Sequence, residues 1–165
     1  MITSEPQQRD TRQGLWAVPE VSLALFSFAF HFIWEFLQIP TFEGMAELRH
    51  WEGVKVCTYA TIGDVGIALA AFWITSLAAR TRHWIIDKKA WQLLVFLAVG
   101  LAVTVGLEFY YVEISNRWSY SELMPLVPPF GTGLSPLLQW IVVPLLVVEL
   151  TRRNLLGTSR IATRR

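Results

Sequence analysis

Four long apolar runs, residues 17–40, 58–79, 90–114 and 132–150, alternate with shorter polar connections along this chain. A helix rises about 1.5 Å per residue and needs about 20 residues to cross roughly 30 Å of hydrocarbon, so each run has the length of one transmembrane helix. The pattern predicts an all-α, polytopic membrane protein: a four-helix transmembrane bundle over 15–153, a mobile tail over 1–14 and a basic tail over 154–165. The first run is expected to be retained rather than cleaved, because a long polar stretch precedes it, His31 and Glu35 interrupt it and no small-x-small site follows.

Proline and glycine refine the helix ends. Pro40 places the end of the first helix at Gln38 or Ile39, since the residue before a proline is pushed out of helical geometry. In the 41–57 connection, Phe42, Met45, Leu48 and Trp51 recur opposite Glu43, Glu47 and His50, which predicts a short helix lying in the membrane interface. Ala60, Gly63, Gly66, Ala70 and Ala71 on the second helix are expected to let neighbouring helices approach closely. The 80–89 connection is short, so the second and third helices should be antiparallel neighbours. Pro125, Pro128 and Pro129 stiffen the 115–131 connection into a cap, and Pro144 predicts a bend in the fourth helix.

Composition excludes a soluble domain, because 53% of the 165 residues are hydrophobic and only 16% are charged. A net charge of +1 gives no reason to expect a nucleic-acid partner. The placement of the charge says more. Arg9 and Arg12 precede the first run, Arg80, Arg82, Lys88 and Lys89 separate the second from the third, and Arg152, Arg153, Arg160, Arg164 and Arg165 follow the fourth. Only Arg49, Lys55 and Arg117 fall in the other two connections, so the positive-inside rule puts both termini in the cytoplasm of a cell (inner) membrane protein and turns 41–57 and 115–131 outward. The one cysteine, Cys57, has no intrachain partner for a disulfide.

Against this apolar background Glu35, Asp64, Glu108 and Gln139 each interrupt a different run. Polar and ionisable groups at membrane depth are costly and mark functional sites by default. Counted from the outer ends of the runs, all four lie about 8–10 Å deep, which predicts one polar layer opening outward. His31, Glu35 and Gln38 share a face of the first helix at i, i+4, i+7 spacing. Glu35, Asp64 and Glu108 are therefore the candidate acid–base residues, at least one of them expected to be protonated or paired. His31, Gln38 and Gln139 are expected to orient them or the ligand, with Arg117, Trp118 and Tyr120 covering the site. A metal held by His31, Glu35 and Glu108 is a further expectation, and Glu47 with His50, after Glu43, forms an E-x-x-H spacing that di-iron bundles use in pairs.

Two functional classes follow. One is a carboxylate pocket binding a lipid, isoprenoid or metal ligand, with acid–base chemistry; no motif names a cofactor. The other is an accessory subunit of a larger respiratory or photosynthetic type of complex, or a homo-oligomer, with Trp34, Trp73 and Trp140 deep enough to face partner helices. Trp16, Trp51, Trp84, Trp91 and Trp118 fall near run boundaries, where an aromatic belt accounts for them.

The stretch from Glu108 through Arg117-Trp118-Ser119-Tyr120 to Gly131-x-Gly133-Leu134-Ser135-Pro136 resembles small uncharacterised bacterial multi-helix membrane proteins that carry an acid, R-W-x-Y and G-x-G-L-S-P-L-L-Q. Its layout is also similar to that of the membrane lycopene cyclases, in which a tryptophan-bearing loop precedes a proline and a pair of acids. Here Leu137, Leu138 and Gln139 follow Pro136, so the acidic pair is missing. The resemblance implies a lipid or isoprenoid ligand.

Overall fold

The computed structural model describes Leu15 and residues 17–163, with side chains through Ser159. The 1–14 tail and Trp16 lie outside the described residues. Helices α1 (Pro19–Gln38), α2 (His50–Ala79), α3 (Ala90–Phe109) and α4 (Leu134–Thr163) are each long and apolar enough to cross a membrane, as a multi-pass integral membrane protein requires. α1 packs on α2 and α4, and α3 completes the ring by packing on the same two, so α1 and α3 face each other across the bundle.

The side chains are sorted as in a lipid-facing bundle. Leu37, Tyr59, Leu77 and Leu94 point outward, while Ser22, Ser27, His31, Gln38, Thr61 and Gln139 are buried. In water that arrangement would expose apolar surface and hide polar groups at a net cost; in hydrocarbon the outward residues are already in their preferred medium.

Pro19 occupies the first turn of α1, where its missing N–H is not needed, and Pro40 ends the helix through a 3-10 turn at Ile39–Thr41. The interfacial helix expected over 41–57 does not form. Residues 43–48 are turns and a bend, Phe42 pairs with Tyr120 in an isolated β-bridge, and Trp51 belongs to α2, which starts at His50 rather than Thr58. Backbone hydrogen bonds to the second connection supply what a local helix would have satisfied: the Glu43 N–H donates to the Ser119 carbonyl (2.9 Å) and the Ser121 N–H to the Thr41 carbonyl (3.0 Å).

Most of the small α2 residues expected to receive a neighbour point out instead. Gly63, Gly66 and Ala70 are exposed, and Ala68 and Ala71 carry the internal packing. Trp84 also departs from expectation. It sits in the connection between α2 and α3 but is fully buried, between Phe72 (5.8 Å between ring centres) and Phe96 (5.7 Å), and its indole N–H donates to Ser76 Oγ at 3.2 Å. With Leu23, Ile85, Val143 and Val147 it forms the apolar core at the end of the bundle opposite Gln38. Polar side chains rim this end: Arg82 pairs with Glu20 (2.5 Å), and Lys88 with Glu149 (2.5 Å).

At the other end α3 runs into a π-helical turn, Tyr110–Ile114, closed by the Ser115 N–H on the Tyr110 carbonyl at 2.8 Å. Strands β1 (Leu126–Val127) and β2 (Thr132–Gly133) pair antiparallel and lead directly into α4. The prolines of the predicted cap lie within and before this small hairpin. α4 continues past Leu150 to Thr163, through the stretch read as the start of a basic tail.

Candidate functional site

α1, α2 and α4 bring one amide into the middle of the bundle. Gln139 is buried, and its Nε2 lies 2.9 Å from His31 Nδ1, 3.0 Å from Glu35 Oε1 and 3.1 Å from Asp64 Oδ2. Around this hub, Gln38 Nε2 donates to Glu35 Oε1 at 2.9 Å, Ser135 Oγ donates to Gln38 Oε1 at 2.8 Å, and the Trp34 indole donates to Ser135 Oγ at 3.2 Å. The Trp140 indole donates to Asp64 Oδ1 at 3.3 Å, and His31 Nδ1 lies 3.3 Å from Asp64 Oδ2. Local sequence accounts for the pieces: His31, Glu35 and Gln38 occupy one face of α1, while Ser135 and Gln139 are one turn apart on α4.

Glu108, on α3, forms a second centre beside the first. Tyr120 reaches from the outer connection and donates its hydroxyl to Glu108 Oε2. Gly133 makes room for that ring, since a Cβ there would lie 3.0 Å from Tyr120 Cε1 and 2.8 Å from Met124 Sδ. Glu108 makes no hydrogen bond to the Gln139 cluster, but it is near enough to Glu35 and Asp64 for mutual repulsion. The Trp118 indole lies within electrostatic reach of the same carboxylate and completes no hydrogen bond there.

The structure thus joins His31, Glu35, Gln38, Asp64 and Gln139 directly, and Glu108 with Tyr120 next to them. Arg117 stands apart: its guanidinium stacks over Tyr111 (5.1 Å to the ring centre) and Trp118 (5.8 Å) rather than pairing with Glu113. Among the described residues no three His, Cys, Asp or Glu side chains are placed to hold a metal ion, so the set His31, Glu35 and Glu108 does not converge as ligands. Glu47 lies in the turn before His50 opens α2, so that E-x-x-H pair shares no helical face, and Glu43 accepts from Ser119 Oγ at 2.8 Å instead.

Sequence reasoning passed over Trp140 and Ser135 as site residues. The Ser135-x-x-x-Gln139 spacing was a usable signal for the serine; nothing in the sequence told which way Trp140 faces. Comparison of the chain with family models, with curated proteins and with solved structures finds no match.

The Tyr120 contact gives a pH-dependent expectation. Burial first, and then its hydrogen bond to Glu108, push the Tyr120 hydroxyl well above the ordinary tyrosine range. The folded state therefore holds this proton more tightly than the unfolded chain does. Its contribution is complete below the unfolded value of about 10 and is lost as the pH rises beyond it. Tyr120→Phe should cost about 1–3 kcal/mol near neutrality, and the deficit should shrink above about pH 10. Unfolding in detergent followed by circular dichroism checks this; a deficit independent of alkaline pH contradicts the pairing.

Proposed function

We propose that the chain is an integral membrane protein that holds the polar end of a lipid or isoprenoid ligand against the His31, Glu35, Asp64 and Gln139 centre, with Glu108 and Tyr120 beside it. The observation that carries this reading is the Gln139 amide. It ties three helices to two carboxylates and an imidazole inside a bundle whose exterior is apolar. A polar cluster that served only to fix helix register would leave no donor or acceptor over, yet His31 Nε2 is buried without a partner. The carboxylates supply acid–base capacity next to the bound group. The bias of Arg and Lys supports a reading in which the termini are cytoplasmic and the Tyr120 connection lies on the outer side of a bacterial inner membrane.

Glu35→Gln, Asp64→Asn and Glu108→Gln should each insert normally and copurify with much less lipid than the wild-type chain. Solvent extraction followed by lipid mass spectrometry measures it; undiminished lipid in all three variants sinks the reading.

A second reading, an accessory subunit of a larger membrane complex or a homo-oligomer, is supported by one face of α2. Gly66, Ala70, Trp73 and Leu77 lie along it at helical spacing, all exposed. Migration as a lone monomer in mild detergent counts against that reading.

A further inference from the structure

We infer that the corner where the apolar runs of α3 and α4 meet their basic flanks binds the phosphate of a phospholipid whose headgroup carries no ammonium. This site lies at the end of the bundle opposite Gln38 and does not depend on a ligand at the Gln139 centre. Glu149 is its frame. Lys88 Nζ (2.5 Å), Arg153 Nε (2.9 Å) and Arg152 Nη1 (4.0 Å) converge on that one carboxylate, the lysine from the connection before α3 and the arginines from α4. One carboxylate offsets one of the three charges. Even with Asp87 set against Lys89, the cations Lys88, Lys89, Arg152 and Arg153 outnumber Asp87 and Glu149 by two. Donors are left over as well, since a guanidinium has five N–H groups and an ammonium three. Among the described residues Arg152 donates only from Nε, to the Ile86 carbonyl at 2.9 Å, while Arg153 donates only from Nε and Lys88 only from Nζ, both to Glu149. These contacts hold two guanidinium groups in place with their Nη donors unspent.

Depth selects a lipid over a free anion. The apolar run of α4 ends at Leu150 and that of α3 begins at Ala90, so the Lys88–Glu149 pair stands at the hydrocarbon boundary, the level of lipid phosphates. Leu138, Val142 and Leu145 are exposed and lead along one face of α4 to Glu149, at i, i+4, i+7 and i+11. An acyl chain lying on that apolar stripe carries its phosphate to the arginines. Charge then selects the headgroup. Guanidinium forks match the oxygens of a phosphate, whereas the ammonium of phosphatidylcholine or phosphatidylethanolamine would meet the surplus of positive charge. Phosphatidylglycerol offers the phosphate without that group.

The test is a calorimetric titration of the full chain in neutral detergent with dioctanoylphosphatidylglycerol, dioctanoylphosphatidylcholine and inorganic phosphate in turn. Saturable binding is expected for the first and not for the other two. Arg153→Gln, at a side chain that is 72% exposed, should weaken it about fivefold. Arg80→Asn removes the same charge at the end of α2, the helix that α1 and α3 separate from α4, and asparagine accepts the left-handed backbone there; it should bind as the wild type does. Contacts this exposed are screened, so about 1 M salt should strip the lipid, which separates it from a ligand enclosed at the Gln139 centre. Equal binding of phosphatidylcholine removes the charge selection, and equal binding of inorganic phosphate removes the lipid. Either result overturns the inference, as does an Arg80→Asn variant weakened as much as Arg153→Gln, which would mean a diffuse basic rim with no site.

Discussion

Gln139→Leu is expected to lower the stability of the bundle by about 1–3 kcal/mol, because it takes the donor from Asp64 Oδ2 and one of two donors from Glu35 Oε1, on two other helices at once. Glu35 Oε1 and Asp64 Oδ2 each lose a donor at 3.0–3.1 Å, inside a bundle where water is not at hand to replace it. Leucine is close in size, so the loss is one of hydrogen bonds rather than of volume. Gln139→Glu keeps the shape and removes both protons, and it should be at least as damaging, since a further carboxyl then faces the same two. For a chain of this length about 1 kcal/mol corresponds to roughly 2–4 °C, so both variants should melt several degrees or more below the wild type in detergent. If Gln139→Glu melts with the wild type, the amide is not what joins the helices.

Gly100→Ala should be nearly as costly for the opposite reason. A Cβ at Gly100 would sit 2.3 Å from Cε3 and Cζ3 of Trp140, a ring with 1% exposure and no free side to turn into. Overpacking of this kind commonly costs about 1–3 kcal/mol, and a clash with a rigid buried indole belongs at the upper end or above it. The consequence reaches the site, because the same indole donates to Asp64 at 3.3 Å. Trp140→Leu vacates the contested space, so Gly100→Ala should cost less in that background than alone. The expected coupling is about 0.5–3 kcal/mol. Strictly additive costs in a double-mutant cycle would show that α3 and α4 do not meet at this pair.

Much of the architecture was legible because hydrocarbon imposes a length and a composition on anything that crosses it. The four apolar runs correspond to α1–α4, and Pro40 marks the end of the first. The run lengths failed where a helix continues in polar residues. Arg49-His50-Trp51-Glu52 opens α2 eight residues before its apolar run, and Thr151-Arg152-Arg153-Asn154 carries α4 onward, since a helix leaving the bilayer needs no apolar surface. For the site, spacing placed His31, Glu35 and Gln38 on one face. Depth counting set Asp64 and Gln139 level with them, although the count for Asp64 began at Thr58, eight residues inside α2. What the sequence did not carry was rotation about each helix axis. The outward turn of Gly63, Gly66 and Ala70, the inward turn of Trp84 and Trp140, and the separation of Glu108 from the Gln139 hub depend on how four helices roll against one another. In a chain that is apolar nearly all round, amphipathicity gives little guide to that roll.

The central claim is that the Gln139 centre holds a lipid-soluble ligand, and native mass spectrometry of the wild-type chain released gently from its own membrane tests it most directly. The predicted result is a discrete adduct in the mass range of a single lipid or isoprenoid, present in the wild type and absent from Gln139→Leu. A wild-type chain that flies at its bare mass, or an adduct carried equally by Gln139→Leu, would contradict it.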